Sequence, residues 1–241
     1  MSEAALAIYL DGPLQAWGVS SRFQHRDTER FPTKSALLGL IAAAMGLDKG
    51  SADEAAALVR LGALRIAAYL LGAQADYGMQ RLVDYHTVGA GYDRTDPWQK
   101  LLIPRKASGG AISNAVLTNR TYLLDARFAV VLEGAADQLE AVGRALADPV
   151  WGVWLGRKCC LPSAPLYCVA EASRTEALDR LLRTVNERRQ ASDTPELALQ
   201  DGTEEPSGED AAQGGVWYWN DQPLSYGQRA FVGRPVRRTQ R

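Results

Sequence analysis

Apolar residues fall along this chain in two rhythms, short unbroken runs and stripes at helical spacing. The run "ALAIYL" (5–10), closed by Asp11-Gly12-Pro13, predicts a buried strand and a turn. In "FPTKSALLGLIAAAMG" (31–46) the residues Leu37, Leu38, Ile41 and Met45 recur on one helical stripe. Thr33 is placed to cap that helix and Gly46 to end it, while Gly39 in its interior predicts close packing on a sheet. "ADEAAALVRLG" (52–62) predicts a second, short helix and "ALRIAAYLLG" (63–72) a strand. Periodicity then fails from Ala75 to Asn119, a glycine-containing stretch with Arg81, Arg94, Arg105, Lys106 and Arg120 along it or just beyond. Connections of that length inside a domain are functional or disordered. The pattern resumes with "TYLLDARFAVVLEG" (121–134) as a strand and "AADQLEAVGRALADP" (135–149) as a helix. "WGVWLGRKCCLPSAPLYCVAEA" (151–172) follows as a loop leading into a strand, and "GGVWYWND" and "RAFVGRPVRRTQR" read as two late strands.

The order strand, helix, strand, long loop, strand, helix, strand predicts an α+β fold built on a ferredoxin-like βαββαβ unit. That unit fills residues 1–150, and a smaller, mostly β part fills 151–241. No apolar run reaches the ~18 residues that cross a bilayer, and the N-terminus has neither the basic nor the apolar region of a signal peptide.

Charge changes the picture. The net charge of −1 averages two unlike regions. Between Gln190 and Gly215 lie seven acids and no Lys or Arg, which predicts a disordered acidic insertion. The remainder carries 27 basic against 21 acidic residues, a body at about +6 that suits an anionic partner. Only five of the basic residues are lysines; guanidinium groups bind phosphate bidentately and stack on bases.

Catalytic patterns are scarce. The two histidines, His25 and His86, belong to no metal-binding motif, and the three cysteines form no C-x-x-C pair. An odd number of cysteines suits a reducing cytoplasm. "WLGRKCC" (154–160) poses a sharper choice, since Arg157 and Lys158 would activate a neighbouring thiol yet could equally hold phosphate beside the backbone of Gly156. A second basic segment, "RFQHRDTERFPTKS" (22–35), brings Arg22, Arg26, Arg30 and Lys34 to a helix start, where free N–H groups favour an anion. Trp17, Trp151 and Trp154 read as core or interface residues.

Several stretches in order, "LDGPLQAWG", "RFQHRDTERFPTKSALLGLIAAAMG", "RLVDYHTV", "RTYLLDARFAVVL" and "WLGRKCCLPSAPL", resemble the fifth Cas family in its type I-E form, the CasD subunits of the CRISPR Cascade complex. The resemblance runs from about Leu6 to Leu166, with "RPVRR" a weaker match. It implies a RAMP-superfamily, RRM-like ferredoxin fold with a long β-hairpin thumb at about 75–119. It implies a non-catalytic subunit that binds and caps the 5′ handle of crRNA in antiviral defence. Its neighbours would be the backbone subunit CasC and the large subunit CasA, with target DNA reached through the complex and no cofactor. The RNA-binding residues would be Arg22, Lys34, Ser35, Arg105, Lys106, Arg120, Arg157 and Lys158, with Cys159 and Cys160 as packing. A sister form cleaves precursor crRNA with a tyrosine, lysine and histidine set. Here the segment before "RTYLLDARF" has Lys106 but no histidine. The alternative reading is a metal-independent endoribonuclease that processes precursor crRNA.

Overall fold

The computed structural model describes residues 3–240 except 19, 20, 23, 73–78, 90, 94, 104, 107, 113, 114 and 207–214. In chain order the elements are β1 (Glu3–Asp11), β2 (Leu14–Gln15), β3 (Ser21–Arg22), β4 (His25–Arg26), α1 (Lys34–Ala44), α2 (Glu54–Gly62), β5 (Arg65–Gly72), β6 (Gln80–Val88) and α3 (Pro97–Leu102). There follow β7 (Val116–Leu124), β8 (Arg127–Ala135), α4 (Ala136–Ala147), β9 (Tyr167–Glu171), α5 (Arg174–Gln190), β10 (Ala198–Glu204), β11 (Val216–Ser225) and β12 (Ala230–Gln240).

The unbroken apolar runs are strands covered on both faces, which is why they show no alternation. Leu6, Ile8, Leu10, Ile66, Leu70, Phe128, Val130 and Leu132 point into a core shared with α1 and α4. The intervening Ala5, Ala7, Ala67, Tyr69, Ala129 and Val131 point into a second core under α5, which supplies Ala177, Leu178, Leu181 and Val185. The seven-stranded sheet has the order β11-β12-β10-β5-β8-β1-β9, with every pairing antiparallel. Strands from before and after residue 150 therefore share one sheet, and the 1–150 and 151–241 parts of the sequence reading do not separate. α5 adds a 17-residue helix to a C-terminal part whose other elements, β9 to β12, are strands. Its charged sequence hides the stripe, although Ser173 caps the helix, its hydroxyl accepting from the Glu176 N–H at 3.3 Å.

Within the stretch without periodicity the described residues hold a two-stranded arm, β6 with β7, and the helix α3. β6 pairs with β7 from Gln80↔Leu124 to Val88↔Val116, and α3 lies in the connection. β7 joins a second sheet with β2, β4 and β3. The strand expected over 121–134 is two strands, β7 and β8, separated at Asp125 with φ of 47°, a conformation that Asp tolerates better than most residues. Among the described residues no helix is long and apolar enough to cross a membrane.

The acidic insertion is the largest correction. Residues 198–204 form β10, paired with β5 on one side and β12 on the other; positions 207–214 lie outside the described residues. Its carboxylates find counter-charges from distant parts of the chain. Asp201 meets Arg30 at 3.1 Å, and Glu204 meets Arg174 and Arg237. Glu205 is buried, and both its oxygens accept from Lys34 Nζ, at 2.9 and 3.1 Å. Arg234, also buried, donates to both oxygens of Asp221 at 2.7 and 3.0 Å and lies 3.6 Å from Glu205. Asp221 accepts from the backbone N–H of Lys34 at 2.7 Å, and Glu205 from that of Ile66 at 2.8 Å. Two cations and two anions are thus held out of water, and each one's desolvation is offset by its neighbours. Burial pulls the Lys34 ammonium below its usual titration range, and the Glu205 carboxylate opposes that shift.

Removing one member should leave an uncompensated buried charge. Glu205→Ala is expected to cost about 3–5 kcal/mol, read as a lower urea midpoint at unchanged slope; a midpoint equal to wild type would contradict the assignment. Glu54 and Glu204 generate a pH prediction. Burial disfavours both carboxylates, yet hydrogen bonds outweigh it, from Ser225, Gly227, Gly50 and Tyr226 for Glu54 and from Arg237 and Arg174 for Glu204, so both titrate below the ordinary glutamate value of 4.5. Their stabilisation is therefore present above the unfolded-state value and lost as pH falls through the lower folded-state values. Thermal melts of the wild type should drop below about pH 4.5 more steeply than those of Glu204→Gln; parallel curves would rule out the contribution of Glu204.

Candidate nucleic-acid interface

The 154–160 segment is a tight loop stitched to the start of the chain. Leu155 donates to the Cys160 carbonyl at 2.8 Å and accepts from Ala16 N–H at 3.0 Å. Gly156 sits at φ of 100°, and a Cβ there would lie 1.7 Å from the Ala16 carbonyl oxygen. Its glycine is thus required by the approach to Ala16, rather than by a ligand as the sequence suggested.

Arg157 is a bracket. Its guanidinium donates to the carbonyls of Thr121 at 2.8 Å, Arg26 at 2.6 Å and Asp27 at 3.3 Å, and lies 4.6 Å from the Tyr122 ring centre. It ties the loop to β4 and β7, so the expectation of an uncommitted phosphate ligand changes. Lys158 beside it is exposed, with its ammonium 5.8 Å from the Trp154 ring centre. Cys160 is fully buried in the core, and burial pushes its thiol up to about 11. Cys159 is exposed, with its sulfur 3.5 Å from the Tyr122 hydroxyl, so packing accounts for Cys160 alone.

This loop forms one wall of a cleft of about 620 Å³. A second wall is the outer face of α1, with Ser35 and Gly39, and a third is the β11–β12 hairpin, with Tyr226 and Phe231; Lys49 stands at the rim. Gly39 packs against Tyr226, whose hydroxyl would lie 3.4 Å from an added Cβ, so it serves the hairpin rather than the sheet. The Tyr226 hydroxyl donates to the Ser35 carbonyl, and burial raises its phenol above the usual range.

The cleft gathers Ser35, Arg157 and Lys158 of the eight expected RNA ligands. Lys34 is excluded by its burial against Glu205. The α1 N-terminus, expected to attract an external anion, already holds the Asp221 carboxylate. Arg120 lies on β7 opposite Arg26 and Asp84, with Nε donating to Thr118 at 3.1 Å. It adjoins Thr121, whose carbonyl Arg157 clasps. Arg105 and Lys106 lie on an exposed loop between α3 and β7 and do not line the cleft. Arg22 is in β3, and its side chain lies outside what is described. Trp154, which reads as core or interface, lines the cleft, and Lys49, Tyr226 and Phe231 carry no site signal in the sequence; the turn "SYGQ" marks the hairpin tip but gives no hint of what it packs against. Among the described residues no cluster of three or more His, Cys, Asp or Glu could hold a metal ion.

The family model described as CRISPR-associated protein (Cas_Cas5) matches residues 5–236. The chain is 32% identical over 171 residues to the CRISPR system Cascade subunit CasD of Escherichia coli (strain K12), covering 67% of this chain and 69% of that protein. Its fold matches a chain of a solved CRISPR RNA-guided surveillance complex with a TM-score of 0.68 at 24% identity, over 98% of this chain and 89% of the other. A crystal structure of a Cas protein matches with a TM-score of 0.61 at 29% identity, over 98% and 94%. The mixed α/β fold with its large antiparallel sheet and a sequence match over nearly the whole length agree: the chain belongs to the Cas5 family of CRISPR-associated proteins.

Proposed function

We propose that this chain is a non-catalytic, RNA-binding subunit of a type I-E Cascade complex in the cytoplasm, which grips and caps the 5′ handle of crRNA. The observation that carries the reading is the cleft, where Lys158, Lys49 and the backbone of α1 meet aromatic side chains in a member of the Cas5 family. Cations on an aromatic-lined groove suit single-stranded nucleic acid, whose phosphates and unstacked bases need both. The strand order β5-β8-β1-β9, wholly antiparallel, supports a ferredoxin-like RAMP unit. α5 covers the sheet face that an RRM-like domain would offer to RNA, which favours binding at the cleft. In this reading Arg120, exposed Arg26 and the arm continue the basic track from the cleft, and the arm acts as the thumb that separates handle from guide. CasC and CasA would be the neighbouring subunits. Target DNA would be read by base pairing with the guide rather than by this chain.

The endoribonuclease alternative finds less support. The cleft's tyrosine hydroxyl is committed to Ser35, and its raised titration makes it a poor base at neutral pH.

Lys49→Ala/Lys158→Ala should weaken binding of labelled repeat RNA to the full chain. At roughly 0.7 per single-strand phosphate contact, it should flatten the slope of log affinity against log salt by about one unit. Changing bases in the RNA should not restore it. An unchanged slope in a normally folded variant would exclude the cleft. Arg157→Ala should behave differently, lowering the melting temperature because it leaves carbonyls without their donor, a loss of about 1–3 kcal/mol.

A further inference from the structure

Glu54 begins α2 and is 5% exposed, yet it does not line the cleft. Its carboxylate reaches across 171 to 173 residues of sequence to the tip of the β11–β12 hairpin. It accepts from the Ser225 hydroxyl at 2.7 Å, from Tyr226 N–H at 3.1 Å and from Gly227 N–H at 3.2 and 3.3 Å. Ser225 in turn accepts from Gln228 N–H at 3.1 Å, which closes the turn. A Cβ on Gly227 would lie 2.7 Å from the Gly50 Cα, so the tip sits directly against the loop that leads into α2. From this tip Tyr226 reaches over Gly39 to Ser35, and Phe231 meets Tyr226 edge to face at 6.2 Å. Both rings line the cleft.

We propose that Glu54 is a positioning residue for RNA binding, a latch whose carboxylate holds the hairpin tip closed as the aromatic wall of the cleft without itself touching RNA. The inference rests on reading the cleft as the RNA site. The latch favours an acceptor-only group: the Ser225 hydroxyl can accept as well as donate, but Gly227 N–H, which can only donate, faces both carboxylate oxygens at 3.2 and 3.3 Å. An amide at this position would turn an NH₂ towards one or more of those donors, and the tip would open while the cations of the cleft stay in place. Binding would then be limited by the fraction of molecules with the wall in position.

The test compares wild type, Glu54→Gln and Lys158→Ala as full chains against labelled single-stranded repeat RNA, with hydrogen exchange followed at residues 225–229. Glu54→Gln should speed exchange at the tip and weaken binding roughly three- to tenfold, because apparent affinity scales with the closed fraction. Its salt slope should equal that of the wild type, since no phosphate contact is lost. Lys158→Ala should show the reverse, a flatter slope with the tip protected. A Glu54→Gln chain with a loosened tip and wild-type affinity overturns the latch, while the RNA reading stands on Lys158→Ala. Failure of the wild type to bind, or wild-type behaviour of both variants, overturns the RNA reading and the latch with it. If Glu54→Gln does not fold, Ser225→Ala, which removes the hydroxyl that donates to the Glu54 carboxylate, is judged by the same outcomes.

Discussion

Four buried charges, Lys34, Glu205, Asp221 and Arg234, fix how this fold closes. They connect the start of α1, the end of β10, and both strands of the C-terminal hairpin. Apolar burial alone would hold these elements near one another, but non-directionally. The charges demand a particular alignment, because any shift would strand an ion in a medium that solvates it poorly. That alignment brings the hairpin tip over α1, and the cleft follows from it. The Asp221 carboxylate also occupies the helix terminus that an external anion would otherwise seek.

The division of labour among the basic residues follows from burial. Lys34 and Arg234 are consumed by the interior, and Arg174 and Arg237 by Glu133 and Glu204 at the flank of the sheet. Arg157 sits between the two roles, bracketing three carbonyls while bordering the cleft. What remains for a ligand is the exposed set, with Lys49 and Lys158 in the cleft. A count of positive charge therefore overstates the cationic surface, because Asp201, Glu204 and Glu205 of the 190–215 stretch neutralise part of it.

The legible parts of the fold were those whose cause is local. Runs such as "RIAAYLL" and "RFAVVL" announce strands covered on both faces, and Thr33 with Gly46 brackets α1 in the sequence as in the structure. α5 is hard to read from sequence although its Ser173 cap and its Ala177, Leu178, Leu181, Val185 stripe are present, because charged residues dilute the stripe. The stretch around β10 reads as disorder because the counter-charges of Asp201, Glu204 and Glu205, namely Arg30, Lys34, Arg174, Arg234 and Arg237, are distant in sequence. Lys34 and Arg157 read as ligands by their charge, but their partners are an acid and carbonyls that only the folded chain brings near. The cleft's aromatic wall had no sequence signal, since Tyr226 and Ser35 meet across 191 residues.

The central claim is that the cleft between α1, the 154–158 loop and the hairpin tip holds RNA. Ultraviolet cross-linking of bound crRNA to the full chain, with peptides mapped by mass spectrometry, tests it most directly, because aromatic rings against bases cross-link without a tether. The account predicts cross-links at Trp154, Tyr226 or Phe231. Cross-links confined to the arm around Trp98, with the three cleft aromatics unmodified, would contradict it.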